Sequence, residues 1–303
     1  MLTVHHQLPT TNSQLLAWHG WRLSVPDDWN PVKVEGDAGA GLLLLADLER
    51  PRLGVRWKSL SPKADAHAWA LRSITEEIGA LAAAESRPTN DPAWRGGLLY
   101  TEPDPPGRDV FAAVSAATGR GVQIVHHTRH RQGSDRRFAD EILAHLSDTP
   151  ADQPREWSIF DLTCRSPAGW RLQWYRFHAG DVTLAFARRD RTRVVLRQIG
   201  PATLALSRQP LEAWIKQLDK PTSKLYRPPT ATTPVAVTLR TQPLRGLTTI
   251  LRRRKRLFWA VFTRDQTRLA VHDEPRNRLL IAQSDDEAAA RTFLSTVGGG
   301  ADQ

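Results

Sequence analysis

Three histidines, His126, His127 and His130, fall within the stretch HHTRH. Neutral imidazole is a ready metal ligand and titrates near neutral pH, so such a cluster could hold zinc or move a proton. On an extended strand His126 and His130 share a face with Thr128, and His127 points the other way. Four residues of strand span roughly 13 Å, too far for His126 and His130 to share one metal ion. A loop opening after His127 would close that gap, with Asp135 the nearest carboxylate in sequence. The alternatives are a metal site on His126, His127 and His130, or the solvated end of a strand. His5 and His6, near the start of the chain, read as solvated.

Other chemistry is sparse. Carboxylates pair at Asp27-Asp28, Glu76-Glu77 and Asp285-Asp286. The first falls in a turn and the second on the outer side of a helix. The third, with Ser284, suits the N-terminus of a last helix, where acids favour the dipole. Cys164 is the single cysteine. It excludes an internal disulfide and a thiolate zinc site, and it alternates in phase with Phe160 and Leu162 as a small core residue. No nucleophile elbow, phosphate loop or dinucleotide fingerprint occurs. The glycine-rich stretches DAGAG (37–41) and GRG (119–121) read as hairpin turns. No cofactor is expected, and an enzyme would need a cleft between modules.

Arginine is the residue in excess. The formal charge is +10, and residues 1–150 hold 16 Lys and Arg against 18 Asp and Glu, so the excess lies in the second half. Arg188, Arg189, Arg191, Arg193 and Arg197 crowd one hairpin, and Arg252, Arg253, Arg254, Lys255 and Arg256 run into the apolar LFWAVF. Both faces of that second stretch change from charged to apolar at one point, so a strand there has a buried half and a charged half at an edge or in water. The ten cations form a candidate surface for polyanions or for an acidic protein. RNA or DNA would use the same arginines, but no helix-turn-helix, zinc knuckle or RNA-recognition signature accompanies them. Only 7 of the 42 cations are lysine, so an arginine-rich genome accounts for part of the bias.

The elements that would position these residues repeat. Pro26-Asp27-Asp28-Trp29 recurs as Pro167-Ala168-Gly169-Trp170, 141 residues on. The same gapless shift takes Gly39 to Gly180, LLLLA (42–46) to TLAFA (183–187), and Arg52 and Arg56 to Arg193 and Arg197. A helix is expected over 66–84, capped by Asp65, with Trp69, Leu71, Ile74, Ile78 and Leu81 on its apolar side. A shorter one carries Leu211, Trp214, Ile215 and Leu218 behind Pro210. Strands are expected at 97–100, 110–114 and 122–127, and again at 235–239, 257–262, 268–271 and 279–282. A closing helix follows each set, marked by Phe138, Ile142, Leu143 and Leu146, then by Ala289, Phe293, Leu294 and Val297. The expected organisation is a first α+β module over 1–148, a linker over 149–156, a second, basic module over 157–297 and a disordered tail over 298–303. With 40% hydrophobic and 24% charged residues the composition is that of a globular protein. No membrane span or secretory leader is read, and a cytoplasmic location is expected.

An opening strand, the turns SVPDDW (24–29) and SPAGW (166–170), a meander, a helix, antiparallel strands and a final helix resemble the PsbP/Mog1-like fold, including DUF1795-type proteins and Eag-type chaperones. That resemblance implies two tandem α+β antiparallel-sheet modules. It also implies a non-catalytic protein-binding, adaptor or escort role. It carries over no functional residue, since the matching words are a structural turn.

Overall fold

The structure, a computed structural model, describes residues 13–102, 107–128, 142–217, 235–239 and 266–297. The chain divides into two compact units, Met1–Asp161 and Leu162–Gln303. Both are rich in antiparallel sheet, with a few short helices, an α+β construction.

The first unit opens with β1 (Ser13–Trp18) and β2 (Trp21–Pro26), then β3 (Asn30–Gly36), β4 (Ala40–Ala46) and β5 (Pro51–Ser59). Helices α1 (Ala66–Ile78) and α2 (Ala80–Ala83) follow, then β6 (Arg87–Pro88), β7 (Trp94–Thr101), β8 (Arg108–Ser115), β9 (Arg120–His127), β10 (Ser147–Asp148) and β11 (Arg155–Ile159). Its large sheet has seven strands in the order β3-β4-β5-β9-β8-β7-β6. A smaller layer pairs β1 with β2 and β11, and β2 with β10.

Alternation along the strands gives the large sheet two covered faces. On one, Ala70 and Ile74 of α1 pack against Leu98, Tyr100, Val110, Ala112 and Val125. The helix approaches closely because Gly121 leaves room for the Trp69 indole, which a Cβ there would meet at 2.5 Å. On the other, Trp21 stacks on Trp94 at 6.3 Å and Trp29 on His126 at 5.9 Å. Asp65 caps α1 by accepting from the Ala68 N–H, as expected. The helix is shorter than its periodicity suggests, because Gly79 breaks it with φ 88°. Of the expected apolar side, Ile74 is buried and Trp69 and Ile78 pack beside it, with Ala70 added, whereas Leu71 and Leu81 are exposed.

The second unit has β12 (Leu162–Ser166), β13 (Arg171–His178), β14 (Asp181–Ala187) and β15 (Arg193–Ile199). Then come α3 (Ala202–Ala205), α4 (Leu211–Gln217), β16 (Val235–Leu239), β17 (Gln266–Asp273), β18 (Arg278–Ser284) and α5 (Glu287–Ser295). Its sheet runs β13-β14-β15-β18-β17-β16, antiparallel throughout. Ile215 of α4 packs on Ala270 and Ile281, with Ile199, Leu211 and Trp214 beside them. From the opposite face, Phe293 of α5 meets Phe186 at 4.9 Å and Trp170 at 5.0 Å. Asp286 caps α5, and Ser284 accepts from the Asp286 N–H, as the acidic pair implied.

Adding 141 to the bounds of β2, β3, β4 and β5 gives those of β12, β13, β14 and β15 to within one residue. Burial follows the same offset. Trp29 and Trp170, Leu53 and Val194, Val55 and Leu196, and Ile74 and Ile215 are all buried. Cys164 is buried too, and burial pushes its thiol pKa up, as a core residue requires. The stretch 149–156 is not a free linker: β11 starts inside it at Arg155, and Ser158 faces Ala17 of β1. The expected strand 257–262 and the tail 298–303 lie outside the described residues.

Candidate acidic-partner interface

The β14–β15 connection reads ARRDRTR over 187–193, four arginines and one aspartate. The loop is closed by Arg188 N–H to Thr192 O at 3.0 Å and Arg191 N–H to Arg188 O at 3.1 Å. Asp190 accepts from the Thr192 N–H at 3.0 Å, a local turn of the kind short acidic side chains form. The chain then passes through Arg191 at φ 70°, the left-handed position that such hairpins usually give to glycine. An arginine there costs backbone energy and projects its guanidinium at the tip.

The arginines divide by what holds them. Arg188 pairs with Asp190, its Nε donating at 2.9 Å, and its guanidinium lies 5.6 Å above the Trp170 ring. The Arg188 hydrogen bond and the Thr192 N–H hold the Asp190 carboxyl well below the usual carboxylate range. Arg197 is committed to structure. Its Nε and Nη2 grip the Asp181 carboxylate at 2.8 and 2.7 Å, with Arg176 alongside at 3.3 Å. Burial works to raise the Asp181 pKa, but the Arg197 hydrogen bonds and the charges of Arg197 and Arg176 outweigh it and leave it lowered. Arg189, Arg191 and Arg193 are exposed.

Register adds a residue that the sequence reading missed. Arg171 opens β13 opposite Ala187, and Ala187 faces Arg193 on its other side. Residues directly opposite share a face, so Arg171 and Arg193 flank a small alanine at the end of the sheet. The signal was present, since Arg171 follows the Pro-x-x-Trp turn and therefore starts the strand that pairs with 181–187. The arrangement is an arginine-rich end with Asp190 in its loop and Asp286 acting on Arg188 from the α5 cap. Its donors can bind carboxylates or phosphates in forked pairs. Trp170 beneath it is buried and serves the core, so it presents no face to a nucleobase. Arg252, Arg253, Arg254, Lys255 and Arg256 lie outside the described residues.

The histidine expectation is corrected. His126 is buried, its Nδ1 lies 3.2 Å from Asp109 Oδ2, and its ring stacks on Trp29. It is neither solvated nor turned toward His127, which is half-buried on the opposite face of β9. His130 lies outside the described residues. Among the described residues no group of three or more His, Cys, Asp or Glu is placed to hold a metal ion. No described helix is long and apolar enough to cross a membrane. Glu77, expected to face water, turns back to Arg56 at 3.1 Å and Arg108 at 3.6 Å.

No protein family and no curated protein matches the chain. Among solved structures it is similar to the solution structure of cyanobacterial PsbP (CyanoP) from Synechocystis sp. PCC 6803, at 13% identity and a TM-score of 0.31. That match covers 47% of this chain and 96% of CyanoP. A crystal structure from Bacteroides thetaiotaomicron VPI-5482 is similar at 12% identity and a TM-score of 0.29, over 48% of this chain and 49% of the other. The PsbP-like resemblance is thus present but distant, and neither likeness bears on activity.

Proposed function

We propose that this chain is a non-catalytic adaptor or escort, and that its second unit docks an acidic protein surface through the arginine end of its sheet. The observation that carries this reading is the exposure of Arg189, Arg191 and Arg193, with Arg171 beside them, at one end of a rigid antiparallel sheet. Exposed arginines on a fixed scaffold steer and orient an acidic partner at little entropic cost. The buried Trp170 leaves this end without a stacking platform, which favours a protein over single-stranded nucleic acid. The reading includes a tandem duplication on a PsbP/Mog1-like plan, supported by the offset of 141 in element bounds and by the shared order of the six principal strands.

The test is salt-dependent binding of the full chain to polyglutamate, with a homopolymeric RNA in parallel. Wild type should bind polyglutamate, and Arg189→Ser with Arg191→Gly should weaken that binding at least tenfold while leaving thermal unfolding intact. Undiminished binding by a folded double variant sinks the proposal. Tight binding to RNA but not to polyglutamate replaces it with the nucleic-acid reading.

A further inference from the structure

The first unit contains a second arginine-lined feature that the adaptor reading does not use. Arg50, Pro51, Glu102, Arg108, His127 and Thr128 line an open cleft of about 470 Å³, at the end of the large sheet where β5, β8 and β9 meet. That volume lies within the range of small-molecule sites. The unit's structural arginine is bound quite differently. Arg120 is buried, pairs with Asp148, donates to the carbonyls of His19 and Ala38 at 3.0 Å each, and lies 4.6 Å over the Trp21 ring. The cleft arginines are held loosely. Arg50 Nη2 reaches Thr128 O at 3.3 Å, and its Nε has no acceptor. Arg108 meets Glu102 at 3.5 Å, the Glu77 carboxylate at 3.6 Å and the Glu77 carbonyl at 3.4 Å, all long for charge-assisted bonds. Glu77 is moreover shared with Arg56. Two guanidinium groups, neither held by a short charge-assisted bond, therefore line one cavity.

We propose that this cleft binds a small organic oxyanion, a carboxylate or a phosphate monoester, held between Arg50 and Arg108. Guanidinium forks match both groups in geometry. Pro51 supplies an apolar side for the organic body. The Thr128 hydroxyl is occupied by Gly107, donating to its carbonyl at 2.9 Å and accepting from its N–H at 3.1 Å, so it shapes the cleft and does not bind. Glu102 disfavours a second negative charge on its side, which selects ligands with one anionic head. His127 acts as a reporter. Burial first, and then the charges of His126, Arg108 and Arg50, lower its pKa, with Glu77 opposing. An anion seated between the two arginines reverses part of that depression.

The experiment is calorimetric titration of the full chain at low salt with glycerol 3-phosphate, butyrate and inorganic phosphate, with NMR titration of the His127 ring in parallel. One organic anion should saturate a single site, raise the His127 pKa, and bind at least tenfold more weakly to Arg50→Gln and to Arg108→Gln. Arg189→Ser with Arg191→Gly should leave this binding unchanged. If Arg50→Gln fails to fold, Arg108→Gln and the His127 shift decide. Saturation by neither organic anion, binding that survives Arg108→Gln, loss in the hairpin variant instead, or an unmoved His127 each overturns the proposal. Equal affinity for inorganic phosphate overturns its organic part.

Discussion

Replacing His19 by phenylalanine should remove most of an acid-sensitivity built into the first unit. His19 sits at the tight β1–β2 turn with φ 53°, 3% exposed. Its ring lies among the indoles of Trp18 at 5.1 Å, Trp157 at 5.5 Å and Trp57 at 6.1 Å, and its Nε2 has no hydrogen-bond partner. Burial, and then the nearby charges of Arg120 and Arg155, lower its pKa to about 3, against a smaller opposing effect of Asp37. The unfolded imidazole protonates near 6.5, the folded one near 3, so between those values the unfolded chain binds more protons. The contribution to stability is complete above pH 6.5 and is lost as the pH falls toward 3. At about 1.36 kcal/mol per pH unit the full window is worth up to about 5 kcal/mol, and the fall to pH 4.5 about 2.5 kcal/mol. Phenylalanine cannot take the proton, and the backbone tolerates it, since Phe160, at the offset of 141, occupies the turn between β11 and β12 at φ 49°. The assay is peptide-level hydrogen exchange over β1 and β2 at pH 7.5 and 4.5, corrected for intrinsic rates, which separates this unit from the other. Wild type should lose about 2.5 kcal/mol more than the variant between those values. Equal losses would show that carboxylates govern acid unfolding and that the His19 cage is not its cause.

Three further outcomes follow from packing. Trp29→Ala and Trp170→Ala should each cost about 3–5 kcal/mol, read from denaturant unfolding, because both rings are buried beneath their sheet rims. Asp148→Ala leaves the Arg120 guanidinium buried without its carboxylate and should cost about 3–5 kcal/mol by the same measurement. Asp65→Ala removes the α1 cap and should cost about 1 kcal/mol, seen as faster exchange of the first-turn amides.

Much of the scaffold was legible because it is local. Apolar words repeated at one offset marked β4 and β14, alternation through Leu162 and Cys164 marked β12, and Asp65 and Asp286 announced their helices by residue type. A repeated Pro-x-x-Trp aligned two stretches that proved equivalent in element bounds. What stayed hidden depends on partners far along the chain. His126 looked like a strand end, but Asp109, 17 residues earlier, and Trp29 close over it. Arg120 belonged to a simple turn motif, and only Asp148, 28 residues away, makes it a buried tie. On α1 the spacing placed Trp69, Ile74 and Ile78 but also counted Leu71 and Leu81, which are exposed, and passed over Ala70, because alanine and leucine both suit a helix and only the sheet decides which is covered. At the candidate interface the hairpin arginines were found by composition. Which of them were already engaged by Asp181 and Asp190 was not.

The two hairpins at the offset of 141 differ in what becomes of the arginine that follows the turn, Arg52 in one and Arg193 in the other. In the first, Asp47 accepts from the N–H groups of Glu49 and Arg50 at 2.8 and 2.9 Å and binds Arg52 at 2.6 Å, with both side chains largely buried. That loop closes on its own carboxylate and folds the arginine inward. In the second, Arg188 stands where Asp47 would be, and the turn-forming carboxylate has moved two residues on to Asp190. The position that holds the Arg52 carboxylate partner in the first hairpin is thus a cation in the second. Arg193 is exposed where Arg52 is buried. Arg188 in turn is drawn over Trp170 and onto Asp190. The exchange of sign at this one position accompanies a change from a buried Arg52 to an exposed Arg193, while the strands on either side keep the same bounds to within one residue at the offset of 141.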